Sequence, residues 1–247
     1  MAEFGQTLLF IASVGVSAYA PASPSSLANL SLLDESTHSY LLAAWQAEQQ
    51  GDSVRAARYA RLVAPPEEVP YRIVFEDGAA QTAEALQDLA LEAIGQWSAA
   101  GVAFVPSDRT DVALKIVFRD RVQGRRGFVA GITRMQRVLS PEGSVTIRAE
   151  IEISTRSPSG ALLPKDAILK TLLHEMGHFF GLKDCPDPSN IMGPVRLGAS
   201  NVIRLDERQW QTIGFLSSEA WRLSSLAPQA TVDPRDRKPR VFTFPSL

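Results

Sequence analysis

The chain is 247 residues long, enough for one large domain or two small ones and for a sizeable core. Its 25 basic and 27 acidic residues leave a net charge of -2, without the basic footprint that nucleic-acid binding requires, and that class is set aside. The single cysteine, Cys185, rules out an intrachain disulfide, so pairing says nothing about redox compartment.

The first feature in chain order is an apolar run of about 14 residues that starts near Thr7 and ends in Ala18, Tyr19 and Ala20. It resembles a secretory signal with a small-x-small cleavage site, which implies a secreted or cell-envelope protein. Glu3 is acidic, no Lys or Arg precedes the run, and Pro21 would follow the cut. A leader of another kind or a buried strand, and a cytoplasmic location, therefore stand beside export. The run is too short for a stable membrane span. Residues 1–20 are set apart as signal or leader.

From Ser36 to Val63 the pattern is helical, with Leu41, Leu42 and Trp45 before Gly51 and Asp52, and Ala56, Tyr59, Ala60 and Val63 after them. This reads as a helical hairpin. Its wording resembles one tetratricopeptide unit, but a single unit cannot bury its own face, so residues 21–69 are taken as an accessory or pro-segment. His38 here reads as a surface or capping histidine. Residues 64–70, "APPEEVP", form a stiff joint.

Residues 70–226 read as an α+β layer. "PYRIVFED" is a short strand, and residues 80–100 are an amphipathic helix with Leu86, Leu89, Ala90, Ala93, Ile94 and Trp97 on one stripe. "VAFV" and "VALKIVF" are further strands, and "GFVAGITRM" is expected as an edge strand. In "VTIRAEIEIS", Val145, Ile147, Ala149, Ile151 and Ile153 alternate with polar residues, the period of a strand with one buried face. A helix opened by Pro164 follows. Asp206 and Gln209 make a capping box for a last helix through Trp210, Ile213 and Phe215. Residues 227–247, rich in proline and charge, are expected to be a tail without regular structure.

The helix after Pro164 carries "HEMGH". Residues four apart share a helix face, so His174 and His178 can aim imidazole nitrogens at one point, and Glu175 stands beside that point as a candidate general base. The bland alternative is a pair of satisfied core histidines; chance would place an HExxH in a chain this short on the order of once in a hundred, which favours chemistry. Gly181 can end the helix and turn the chain back, so that Asp184 supplies a third ligand and leaves a fourth position open. Cys185, its neighbour, is the rival for that role. Met192, between Asn190 and Gly193-Pro194, would lie under the site as its floor.

HEMGHFFGLKD followed by SNIM resembles the metzincin zinc-peptidase signature HExxHxxGxxH/D with its Met-turn, and is most similar to the matrixin-like branch. The resemblance implies one catalytic zinc ion held by His174, His178 and Asp184, with Glu175 as general base and Met192 as the Met-turn methionine. It also implies a zincin fold: a twisted mixed sheet with an amphipathic helix and an active-site helix, and a small lower subdomain, here preceded by the hairpin. Most metzincins have a third histidine where Asp184 stands, and the tyrosine that often follows the Met-turn methionine is replaced by Gly193 and Pro194. The resemblance covers about residues 70–218.

Two functions follow. One is a zinc endopeptidase in which a zinc-bound water, activated by Glu175, hydrolyses a peptide or protein substrate, with Gly127, Phe128, Val129, Ala130, Gly131 and Pro194 facing the substrate. The other is a zinc-binding module, catalytically silent or self-inhibited, that acts by binding peptides. A monomer is expected. No acidic cluster has convincing calcium-loop spacing.

Overall fold

A computed structural model describes residues 30–140, 143–196 and 200–227, together with the backbone of 240–244. The apolar run before Ala20 lies outside the described residues. The core is a six-stranded sheet in the order β2-β1-β3-β7-β6-β8, where β1 is Glu68–Phe75, β2 Ala103–Pro106, β3 Leu114–Arg119, β6 Gly131–Leu139, β7 Val145–Ser154 and β8 Arg240–Phe244. The first four strands in that order are parallel, and β6 and β8 are antiparallel to their neighbours. Central β3 buries Leu114, Ile116, Val117 and Phe118 with both faces covered, as its continuous apolar run requires. Pro70, which has no N–H to give, lies before the pairing of β1 with β3 begins at Tyr71.

Helices α3 (Ala83–Ser98) and α4 (Lys165–Phe179) pack on each other and on the sheet. Trp97 joins them: its ring stacks on Phe180 at 4.8 Å and its indole N–H donates to Leu173 O at 3.2 Å. The stripe expected on α3 is the buried one. The amino-terminal hairpin is α1 (Glu35–Gln49) and α2 (Ser53–Arg61), capped by Asp34 and Asp52. It packs against α5 (Glu207–Ser224), where Arg222 pairs with Glu48 and Glu219, and its Leu41, Ala44, Ala60 and Val63 join the same hydrophobic core as the sheet. The Asp206–Gln209 capping box is formed. His38 is partly buried on α1. Among the described residues no helix is long and apolar enough to cross a membrane.

Two expectations are corrected. "GFVAGITRM" is not one strand: Gly127–Val129 forms β5, which makes a separate hairpin with β4 (Val122–Gly124), and β6 starts afresh at Gly131. Gly127, at a φ of +120°, turns that hairpin, and the buried Ser154 hydroxyl holds it by accepting from Val122 N and donating to Val129 O, both at 2.8 Å. The tail is also not wholly irregular. Residues 240–244, RVFTF, have the β-branched and aromatic content of a strand and pair with Met135–Leu139 on the open edge of β6. Only Gly131–Arg134 of β6 then has no strand on its outer side among the described residues.

Candidate metal centre

The carboxyl end of α4 is closed by a Schellman turn: Gly181 N–H donates to His178 O at 3.0 Å, Leu182 N–H to Gly177 O at 2.9 Å, and Gly181 takes a φ of +84°. This reversal brings Asp184 back over the last turn of the helix. His174 Nε2 and His178 Nε2 lie 3.2 Å apart, and Asp184 Oδ1 lies 3.0 Å from the first and 3.4 Å from the second. His174 Nδ1 faces Ile191 O at 3.2 Å and His178 Nδ1 faces Leu182 O at 2.9 Å. A carbonyl only accepts, so each Nδ1 carries the hydrogen and each Nε2 keeps its lone pair.

Three acceptor atoms thus converge, which is unfavourable unless a cation or a proton lies between them. The triangle fits zinc: bonds of about 2.0–2.1 Å at tetrahedral angles put ligand atoms about 3.3–3.4 Å apart. Among the described residues this is the group of side chains that could hold a metal ion, and Cys185 is not in it. The Cys185 backbone N–H instead donates to Met192 O at 2.8 Å. Without a metal the cluster would hold a proton. Burial works against a charge on His178, but the hydrogen bond to Asp184 and the charges of Glu175 and Asp184 outweigh it and raise its pKa to about 9. The two imidazoles, sharing that proton between their Nε2 atoms and the carboxylate, hold Asp184 well below the usual range.

Glu175 is buried beside His174. The Thr133 hydroxyl, on β6, stands 2.8 Å from Glu175 Oε2 and 2.9 Å from Glu175 O. Gly131 lets that strand come close, since a Cβ there would sit 2.6 Å from Thr171 Cγ2 and 2.9 Å from Glu175 Oε1. Met192 is buried against the helix backbone under the histidines, where a Cβ on Gly177 would meet its sulfur at 2.3 Å. The turn around it is rigidly tied. Asn190 Oδ1 accepts from Met192 N and Gln209 Nε2, each at 2.8 Å, and the buried Lys170 ammonium donates to Pro188 O at 2.9 Å and Asn190 O at 3.2 Å. Gly193 has no substitute, because a Cβ would lie 1.9 Å from Asp187 O.

An open cavity of about 320 Å³ adjoins Glu175 and His174. Of the six residues expected to face a substrate, Phe128, Val129, Ala130, Gly131 and Pro194 line it, together with Leu163 and Thr171, while Gly127 stands apart at its hairpin turn. Thr133, Lys170 and the carbonyls of Leu182 and Ile191 were not foreseen from sequence. For Lys170 there was a signal: a lysine four residues before His174, among apolar neighbours on a helix. No protein-family model matches the chain, and no curated protein matches it either.

Proposed function

We propose that the protein is a zinc-dependent endopeptidase of metzincin type, a zinc metalloendopeptidase of the matrixin-like kind. The observation that carries this reading is the triangle of His174, His178 and Asp184 ligand atoms, with edges of 3.0–3.4 Å, at a cavity that His174 and Glu175 both line. Zinc held by these three residues supplies a Lewis acid that polarises a peptide carbonyl and makes water acidic enough to attack near neutral pH. The chain's own groups do the rest. Glu175 accepts a proton from the attacking water and delivers it to the amine nitrogen as the C–N bond breaks, leaving a carboxylate and an amine. Thr133 orients Glu175 by its hydroxyl. The free edge Gly131–Arg134 offers backbone N–H and C=O groups to an extended peptide, and the cavity between Phe128 and Pro194 takes a side chain next to the scissile bond.

Metal analysis combined with a digest of unfolded protein substrates tests the reading. About one zinc per chain and internal cleavage abolished by a chelator are expected. Tight zinc binding without cleavage by any form of the protein would favour a peptide-binding module.

A further inference from the structure

Asp184 sits on an exposed loop, yet as a ligand it must be held to a fraction of an ångström. Two backbone bonds flank it: Cys185 N–H to Met192 O at 2.8 Å on one side, and Lys183 N–H to Leu32 O at 2.9 Å on the other. The second comes from the amino-terminal segment. Leu33 and Leu182 form an antiparallel bridge, and Asp34 N–H donates to Gly181 O at 2.8 Å. Leu182 is the residue whose carbonyl faces His178 Nδ1. Thr37, fixed by the Asp34 carboxylate through its N–H at 2.9 Å and its hydroxyl at 2.7 Å, lies over Gly181 so closely that a Cβ there would be 2.6 Å from its oxygen.

We infer that the segment Leu32–Thr37 is a positioning clamp of the metal centre, fixing the loop that carries the Leu182 carbonyl and the Asp184 carboxylate so that the third ligand meets the two helix-borne histidines. The inference rests on the metal-site reading. It makes the amino-terminal hairpin part of the working site, so that releasing it weakens metal binding.

The test uses the full chain, cobalt(II) as a zinc substitute and competition against a chelator. Asp34 has a φ of -64°, which proline adopts, and Leu33 before it is already in a bridge. Asp34→Ala and Asp34→Pro both lose the carboxylate cap; only the proline also loses the N–H that holds Gly181 O. The alanine variant should bind cobalt within about threefold of the unaltered chain, and the proline variant about ten- to a hundredfold more weakly, the usual effect of losing an outer-shell partner. Its visible spectrum should move toward that of Asp184→Ala. Asp34→Pro should cost clearly less in the Asp184→Ala background than in the unaltered chain, because the part of its effect that acts through Asp184 is already gone while the part through the Leu182 carbonyl remains.

Equal affinity of the alanine and proline variants, or losses that simply add in the double variant, would overturn the clamp. If circular dichroism shows the proline variant unfolded, the same cycle is run with Thr37→Ala, where about a threefold loss in the unaltered background that shrinks with Asp184→Ala is expected; equal losses in both backgrounds overturn it. Failure of the unaltered chain to bind cobalt or zinc at all overturns the metal-site reading itself, one step earlier.

Discussion

Under the proposed peptidase reading, replacing Glu175 with glutamine separates proton transfer from everything else the site would do. The two side chains have the same length and shape, and the amide oxygen can still accept from the Thr133 hydroxyl that now stands 2.8 Å from Oε2. What is lost is the basic lone pair facing the cavity. A general base contributes about 10²–10⁴ in rate, or about 2.7–5.4 kcal/mol of barrier at 1.36 kcal/mol per tenfold. Glu175 is not one of the three converging ligand atoms, so zinc content should remain at about one per chain. Glu175 is 6% exposed and its replacement is neutral, so the melting temperature should hold or rise slightly. The assay is cleavage of a quenched-fluorescence peptide library under steady-state conditions, with metal analysis and thermal unfolding on the same preparation. A Glu175→Gln protein that kept zinc and fold and cleaved within about threefold of the original rate would refute the assignment of the base. Thr133→Val sharpens the result. It removes the orienting hydroxyl but not the base, so it should lower kcat by a smaller factor, about 3–30-fold, from a hydrogen bond to a charged group misplaced in part.

Asp184→Ala should lower zinc affinity sharply and Cys185→Ser should leave it nearly unchanged, measured by chelator competition; the reverse ranking would transfer the third ligand to sulfur. Zinc binding at pH 7 should release about one proton per chain, because His178 is raised to about 9 without metal, and the release should fade above that pH; calorimetry in buffers of different ionisation enthalpy reads it. For the metal-free protein the same pair sets a pH window. The raised His178 contributes stability fully below its unfolded value of about 6.5 and loses it as pH rises through about 9, whereas the depressed Asp184 contributes above about 3.9 and loses its share as pH falls. Chemical denaturation across pH 4–10 should show that decline on the alkaline side. Lys170→Met should destabilise the fold by about 1–3 kcal/mol, since the Pro188 carbonyl loses its donor and the Asn190 carbonyl keeps only the Gly193 N–H, and it should loosen Met192; an unchanged melting temperature would refute the tie.

The parts of the molecule with a period were legible in the sequence. The stripe from Leu86 to Trp97, the alternation from Val145 as far as Ile151 and the capping box at Asp206 reappear as the faces and cap they encode, because each is a local pattern that burial reads directly. The spacing of His174, His178 and Asp184 was legible for the same reason, helix geometry followed by a glycine turn. Long-range pairings were not. Nothing in "GFVAGITRM" says that Ser154, on another strand, will hold Val129 in a separate hairpin, and nothing in RVFTF names β6 as its partner. Glu152 reads as a solvent-facing residue by alternation, yet it is buried because Arg119 and Arg134 close over it. The partners that orient the candidate metal ligands are mostly backbone groups, the carbonyls of Ile191, Leu182 and Leu32 among them, which side-chain identity does not disclose.

The pairing of β8 with Met135–Leu139 has a consequence for how the sheet meets other chains. Bare, β6 would present an outer edge nine residues long on which every second residue has unpaired main-chain groups, a template for any extended polypeptide, including a second copy of the same protein. With five of those positions faced by the chain's own strand β8, the stretch of that edge left without a partner strand among the described residues is Gly131–Arg134, beside Glu175. The strand works as insulation: under the proposed peptidase reading, recruitment of a foreign backbone would be confined to the place where it lies against the carboxylate, while the paired part of the edge is withheld from indiscriminate association.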